Sequence, residues 1–153
     1  MSEESTTPDL VELVRRYVEA ASRRDFDAIE AFYAPDVVLR GAQIGTFDGR
    51  AAARGVLEDV CAPYEEFRAE TEEALDLGFG VTFAVIVARG RVGGVSAGVS
   101  FRFASTAIWS EGLVERQTNY TDIDEARAAA ERLAEERGSS GGYLDPGRAS
   151  DSA

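Results

Sequence analysis

The chain has 153 residues, enough for a single domain with one core, and its 44% hydrophobic share is that of a folded protein rather than a disordered one. A formal net charge of −12 argues against a nucleic-acid surface and against anionic lipid, since both demand a basic patch. Histidine and lysine are absent, so imidazole bases, His metal ligands, Schiff bases and a P-loop lysine are excluded.

A single cysteine, Cys61, permits no internal disulfide and fits a reducing compartment. The opening MSEESTTPD lacks the basic and apolar regions of a signal peptide, and no apolar run is long enough to cross a bilayer. These features predict a cytoplasmic protein with no membrane partner.

Residues 1–7 read as a flexible leader. Thr7-Pro8 offers a hydroxyl cap followed by proline at the first helical position, and Leu10, Val14, Tyr17, Val18 and Ala21 recur at helical spacing. A helix is therefore predicted over Asp9 to Arg24. Asp25 caps a second, shorter helix with Phe26, Ile29, Phe32 and Tyr33 inward, ended by Pro35. VVLR is a short strand and GAQIGTFDGR a glycine-punctuated connection. A third helix runs from Asp48, with Ala53, Val56, Leu57, Val60 and Cys61 on one side, and stops at Pro63.

Four strands follow, over about 66–77, 81–89, 95–109 and 113–121. They are separated by the turn material DLGFG, GRVGG and SEG, which predicts an antiparallel meander. Asp122 and Glu125 stand at capping-box spacing before a last helix with Ala126, Ala129, Ala130 and Leu133 as its apolar stripe. The segment after Arg137, rich in Gly, Ser and Asp, reads as a disordered tail over 138–153. Helices followed by a run of strands indicate α+β. With helices expected on one face, the outer face of strands such as VTFAVIVA would be left for a second subunit, which predicts a homodimer.

The segments YVEAASRRDFDAIEAFYAPDVVLR, FDGRAAARGVLEDV and FASTAIWSEGLVERQTNYTDIDEARAAA, in that order and spacing, resemble the SnoaL-like group of the nuclear transport factor 2-like superfamily. The resemblance covers roughly Asp9 to Arg137 and gives a single domain over 8–137. It implies a cone: a strongly bent, mainly antiparallel sheet wrapped around three N-terminal helices, with a C-terminal helix. A small apolar metabolite would be held in the open end. Relatives include ketosteroid isomerases, polyketide cyclases and limonene epoxide hydrolases, so the fold alone does not give an activity.

The acids those chemistries use do not match here. The isomerase base falls at or beside Gly41, the oxyanion Asp near Ser105, and the late-strand Asp of the epoxide hydrolases at Asn119. Asn119 exchanges hydrogen bonds but cannot act as a general acid or base near neutral pH. By the resemblance, Glu115, Gln117 and Asn119 form a polar row on the concave face. Tyr17, Tyr33, Phe101, Phe103, Ser105 and Trp109 are the other candidates for the pocket wall. Glu73 and Glu115 are the only candidate bases, Arg40 a candidate anion contact, Asp122 a helix cap and Cys61 a core thiol. No dinucleotide loop and no metal-ligand spacing occurs, so neither cofactor nor metal is expected. The expectation is a small-molecule pocket protein working by hydrogen-bond polarisation. The rival is a non-catalytic dimeric assembly module with a closed core.

Overall fold

The computed structural model describes residues 9–41 and 44–143, with side chains to residue 139. Its elements are α1 (Leu10–Ser22), α2 (Phe26–Ala31), β1 (Tyr33–Gly41), β2 (Gly45–Asp48), α3 (Arg50–Cys61), β3 (Tyr64–Gly78), β4 (Val81–Val92), β5 (Gly98–Ser110), β6 (Leu113–Tyr120) and α4 (Ile123–Tyr143). No described helix is long and apolar enough to cross a membrane.

Caps set the helix starts. Asp9, not Thr7, caps α1: its carboxylate accepts from the Glu12 amide at 3.2 Å, while Thr7 lies outside the described residues. Asp25 caps α2 through the Ala28 amide at 3.1 Å. Asp122 accepts from the Glu125 amide at 3.0 Å at the head of α4. Pro35 ends no helix. It lies inside β1, which starts at Tyr33 and runs for nine residues rather than four. The connection GAQIGTFDGR folds back as β2.

The sheet has six strands in the order β2-β1-β6-β5-β4-β3. The meander β3 to β6 is antiparallel, as is β1 with β2, but β1 joins β6 in parallel, so the sheet is mixed. The missing side chain at Gly90 leaves room for an aromatic ring of β3. A Cβ there would lie 2.6 Å from the Tyr64 ring on the neighbouring strand.

Helices lie on both faces, contrary to the expectation of one. On the concave face, Val14 and Val18 of α1, Ile29 of α2 and Ala53 of α3 share one core with Leu39, Ala84, Ile86, Ala107 and Trp109. On the other face Ala126, Ala130 and Ala134 of α4 pack on Val81, Phe83, Val85 and Ala104. The alternating large apolar residues of β4 are thus covered on both sides within one chain. Beyond α4, the outer face is ion-paired: Arg89 with Glu70, Arg91 with Glu65 and Glu66, Arg102 with Glu72. Among the described residues, α4 and these ion pairs cover the outer face from which a homodimer was inferred.

Helix α4 also outruns the predicted tail. It continues to Tyr143 through GSSGGY, against intrinsic propensity. Tertiary contacts hold it as it enters that segment: Arg137 Nε donates to the Phe79 carbonyl at 2.8 Å, and the Phe79 ring lies over Gly138, where a Cβ would come within 2.7 Å. The predicted leader falls within residues 1–8, and the rest of the predicted tail at 144–153; both lie outside the described residues.

Candidate functional site

A cavity of about 350 Å³ opens between the concave face and the three N-terminal helices. The cone is therefore not packed shut. Five of the eight predicted pocket residues line the cavity: Tyr17, Phe101, Phe103, Gln117 and Asn119. Ser105 and Trp109 line a separate inner chamber of about 20 Å³, which Tyr17 and Gln117 also border. Tyr33 borders neither. It is fully buried, and its hydroxyl lies 2.7 Å from that of Tyr17.

Two bulges decide which acids face inward. Opposite Ile108 and Trp109, β6 carries one extra residue, so Val114, Gln117 and Asn119 point into the cone while Glu115 is exposed. Opposite Ile86 and Val85, β3 carries another, which separates Phe67 and Ala69 in the cavity from Glu73 and Leu75 on the α4 side. Glu73 is held there by Arg127 at 3.0 Å. Both candidate bases are thereby removed from the site: strict alternation put them inside, and each bulge reverses it. Arg40 is exposed and does not line the cavity.

The wall is mostly apolar. Phe26, Ile29, Leu57, Cys61, Phe67 and Ile86 complete it, with Val60 and Phe101 more than two-fifths exposed. Sequence reading missed the lining role of the α2 and α3 residues because an apolar helical stripe reads the same against a core or a void. Among the described residues no Asp or Glu lines the cavity. The one charged residue among them that borders it is Arg102, whose guanidinium turns to the outer face, held by both carboxylate oxygens of Glu72 at 2.9 and 2.6 Å.

The polar groups gather on one side. Gln117 Nε2 donates to Asn119 Oδ1 at 3.3 Å, and the Gln117 amide also reaches the Tyr17 hydroxyl. Burial raises the pKa of Tyr17, with hydrogen bonds from Tyr33 and Gln117 pulling partly back. Burial, reinforced by the neighbouring Tyr17, holds Tyr33 well above the ordinary phenol value. Both phenols are protonated at neutral pH and act as hydrogen-bond donors. The Cys61 thiol is also raised by burial, against the pull of Arg24, which leaves it a poor nucleophile.

The three positions at which relatives' acids were expected lie in one row across the sheet. Gly41 pairs with Asn119, and Asn119 with Ser105. At Gly41 the space for a side chain is filled, since a Cβ would meet Ile44 Cγ1 at 2.8 Å. A SnoaL-like domain model matches residues 14–117, spanning α1 to the polar strand β6. The chain belongs to the SnoaL-like family.

Solved structures agree on the fold of this SnoaL-like protein. A protein of ketosteroid isomerase-like fold from Catenulispora acidiphila DSM 44928, in complex with trimethylamine, is 18% identical, with a TM-score of 0.66 over 78% of this chain and 92% of that one. An LEH-like epoxide hydrolase of M. tuberculosis is 15% identical, with a TM-score of 0.62 over 80% and 89% of the two chains. TerC, co-crystallised with polyporic acid, is 16% identical, with a TM-score of 0.63 over 80% and 97%. No curated protein matches the sequence significantly. At these identities the likeness concerns the nuclear transport factor 2-like fold alone.

Proposed function

We propose that this SnoaL-like protein binds a small, neutral, apolar metabolite in the cone and polarises it by hydrogen bonds. The observation that carries the reading is the pairing of protonated phenols, Tyr17 on Tyr33, beside the Gln117 and Asn119 amides in an otherwise apolar cavity with no carboxylate on its wall. Burying a ligand charge there would cost several kcal/mol with nothing to offset it, so an uncharged ligand is preferred. The Tyr17 hydroxyl, Gln117 and Asn119 would orient its one or two polar atoms. Tyr33 would act through Tyr17 by strengthening it as a donor.

Any reaction at this site would be of the isomerase, cyclase or hydrolase type and would use neutral donors in place of an acid–base pair. The structural neighbours in complex with trimethylamine and co-crystallised with polyporic acid support a small-molecule reading without naming this chain's ligand. A cytoplasmic location belongs to the same proposal, on the free Cys61 thiol.

The homodimer also remains a proposal, moved to a new place. Gly98–Phe103 of β5 pair with β4 but extend past β6, whose pairing with β5 begins at Ala104. Val95, Val99 and Phe101 are exposed there, an edge that a second copy would cover.

The test is thermal stabilisation by a panel of neutral ring-containing and chain compounds, each neutral member matched with a carboxylate of the same skeleton. A ligand at a hundredfold its Kd adds about 2.7 kcal/mol, a plain shift in Tm. Stabilisation by neutral members over their carboxylates supports the proposal. No stabilisation by any member, or preference for the carboxylates, defeats it.

A further inference from the structure

Behind the Tyr17 and Gln117 side chains, the inner chamber has a size and a chemistry that differ from those of the cavity. Its volume, about 20 Å³, is that of one water molecule and too small for an organic group. Four polar side chains border it: Tyr17, Thr82, Ser105 and Gln117. Ser105 is more than nine-tenths buried, yet among the described residues its hydroxyl makes no hydrogen bond to a protein group. No fully occluded polar side-chain atom is unpartnered among the described residues, so the Ser105 oxygen retains some accessible surface, and the chamber is a void that the residue borders. Thr82 Oγ1 accepts from Trp109 Nε1 at 2.9 Å, which leaves its own proton to be donated elsewhere.

We propose that this chamber is a binding site for a single water molecule, anchored by Ser105 and Thr82 and reaching the Gln117 carboxamide. A buried water typically makes two to four hydrogen bonds, and the walls supply that number. The water has a consequence for the cavity. Gln117 Nε2 donates to Asn119 Oδ1 and the carboxamide also reaches the Tyr17 hydroxyl, which leaves Gln117 Oε1 a lone pair open to a further donor. A water donating from behind fixes the carboxamide in that orientation and sets the polarity it shows to the ligand. Ser105 is thus a positioning residue for Gln117 that touches no ligand. The water site requires neither a particular ligand nor turnover.

A high-resolution crystal structure of the ligand-free protein tests it, together with water-to-methyl NOEs at Ile86 and Ala107, which also line the chamber. One ordered water within hydrogen-bond distance of Ser105 Oγ, and NOEs from it to both methyl groups, are expected. Ser105→Val should fill the space and abolish those NOEs. Ser105→Ala, the milder change, should lower the water's occupancy while Tm stays within a few degrees. A dry chamber in the density map, a side chain rotated into it, or NOEs that persist unchanged in Ser105→Val would overturn the proposal.

Discussion

Replacing Tyr17 by Phe deletes one hydroxyl and strands another. Tyr33 is wholly buried, and its hydroxyl has the Tyr17 hydroxyl, 2.7 Å away, as its partner among the described side chains. Without Tyr17's oxygen a buried O–H is left unpaired, which costs about 1–3 kcal/mol. Tyr33→Phe strands nothing, because Tyr17 keeps Gln117 and the cavity as outlets. Its cost is that of one ordinary net hydrogen bond, about 0.5–1.5 kcal/mol. In the double variant the stranded group is gone as well, so the total falls below the sum of the singles by about 1 kcal/mol. Urea unfolding read by far-UV circular dichroism measures all four corners of this cycle. Trp109 fluorescence gives an independent probe, since its ring stands 6.5 Å from that of Phe32 in the same core. Strictly additive single variants, or a Tyr33→Phe that costs as much as Tyr17→Phe, would refute the idea that Tyr33 acts through Tyr17.

Asn119→Leu should weaken the best compound of the stabilisation panel by about 1–3 kcal/mol in calorimetric titration while the fold stays intact, since the ligand's polar atom is left unpaired; unchanged affinity removes β6 from the site. The raised phenols make an alkaline prediction. The neutral forms are favoured on folding, so this stability is complete below the ordinary phenol value of 10.0 and is lost as pH rises through the higher folded values. Alkaline unfolding should accordingly begin later in Tyr33→Phe than in the native chain, and coincident curves would contradict the assignment. Glu73→Gln should leave ligand affinity unchanged, because the Glu73–Arg127 pair lies on the α4 side; a loss of affinity would return Glu73 to the site. Sedimentation at micromolar concentration should show a dimer that Val99→Lys dissolves, and a native monomer would end the edge-pairing proposal.

The order of elements was legible because the signals are local: Asp25 and Asp122 before apolar helical stripes, glycine turns between alternating strands. The facing of the strands was legible only as far as alternation runs unbroken. Along β5 it does, and Phe101, Phe103, Ser105 and Trp109 lie on one face of the strand. Along β3 and β6 a bulge intervenes, and neither TEEAL nor LVERQ carries a glycine or proline to announce it. Each bulge comes from a mismatch with the neighbouring strand, which one strand's sequence does not contain. That one shift of parity moved Glu73 and Glu115 out of the site. The position of α4 was missed for a related reason. Its small stripe of Ala126 and Ala130 fits either face, and what selects the outer one is the bulk of Phe83 and Val85 far away in the chain.

Ile44 gives the acid-free site a directional history. A carboxylate at position 41 would stand beside position 119, where the two Cβ atoms would be 4.0 Å apart. Two acids so placed would share a proton and titrate apart, the usual way one of a pair is kept ready to donate. The order of substitutions decides whether that pair can be reached. Gly41→Asp made first drives its Cβ into Ile44, whereas Ile44→Ala made first clears the space at the cost of some apolar contact. Asn119→Asp meets no such barrier. A walk from this acid-free cone toward acid–base catalysis therefore runs most easily through position 44, and a library that leaves Ile44 fixed would handicap the route.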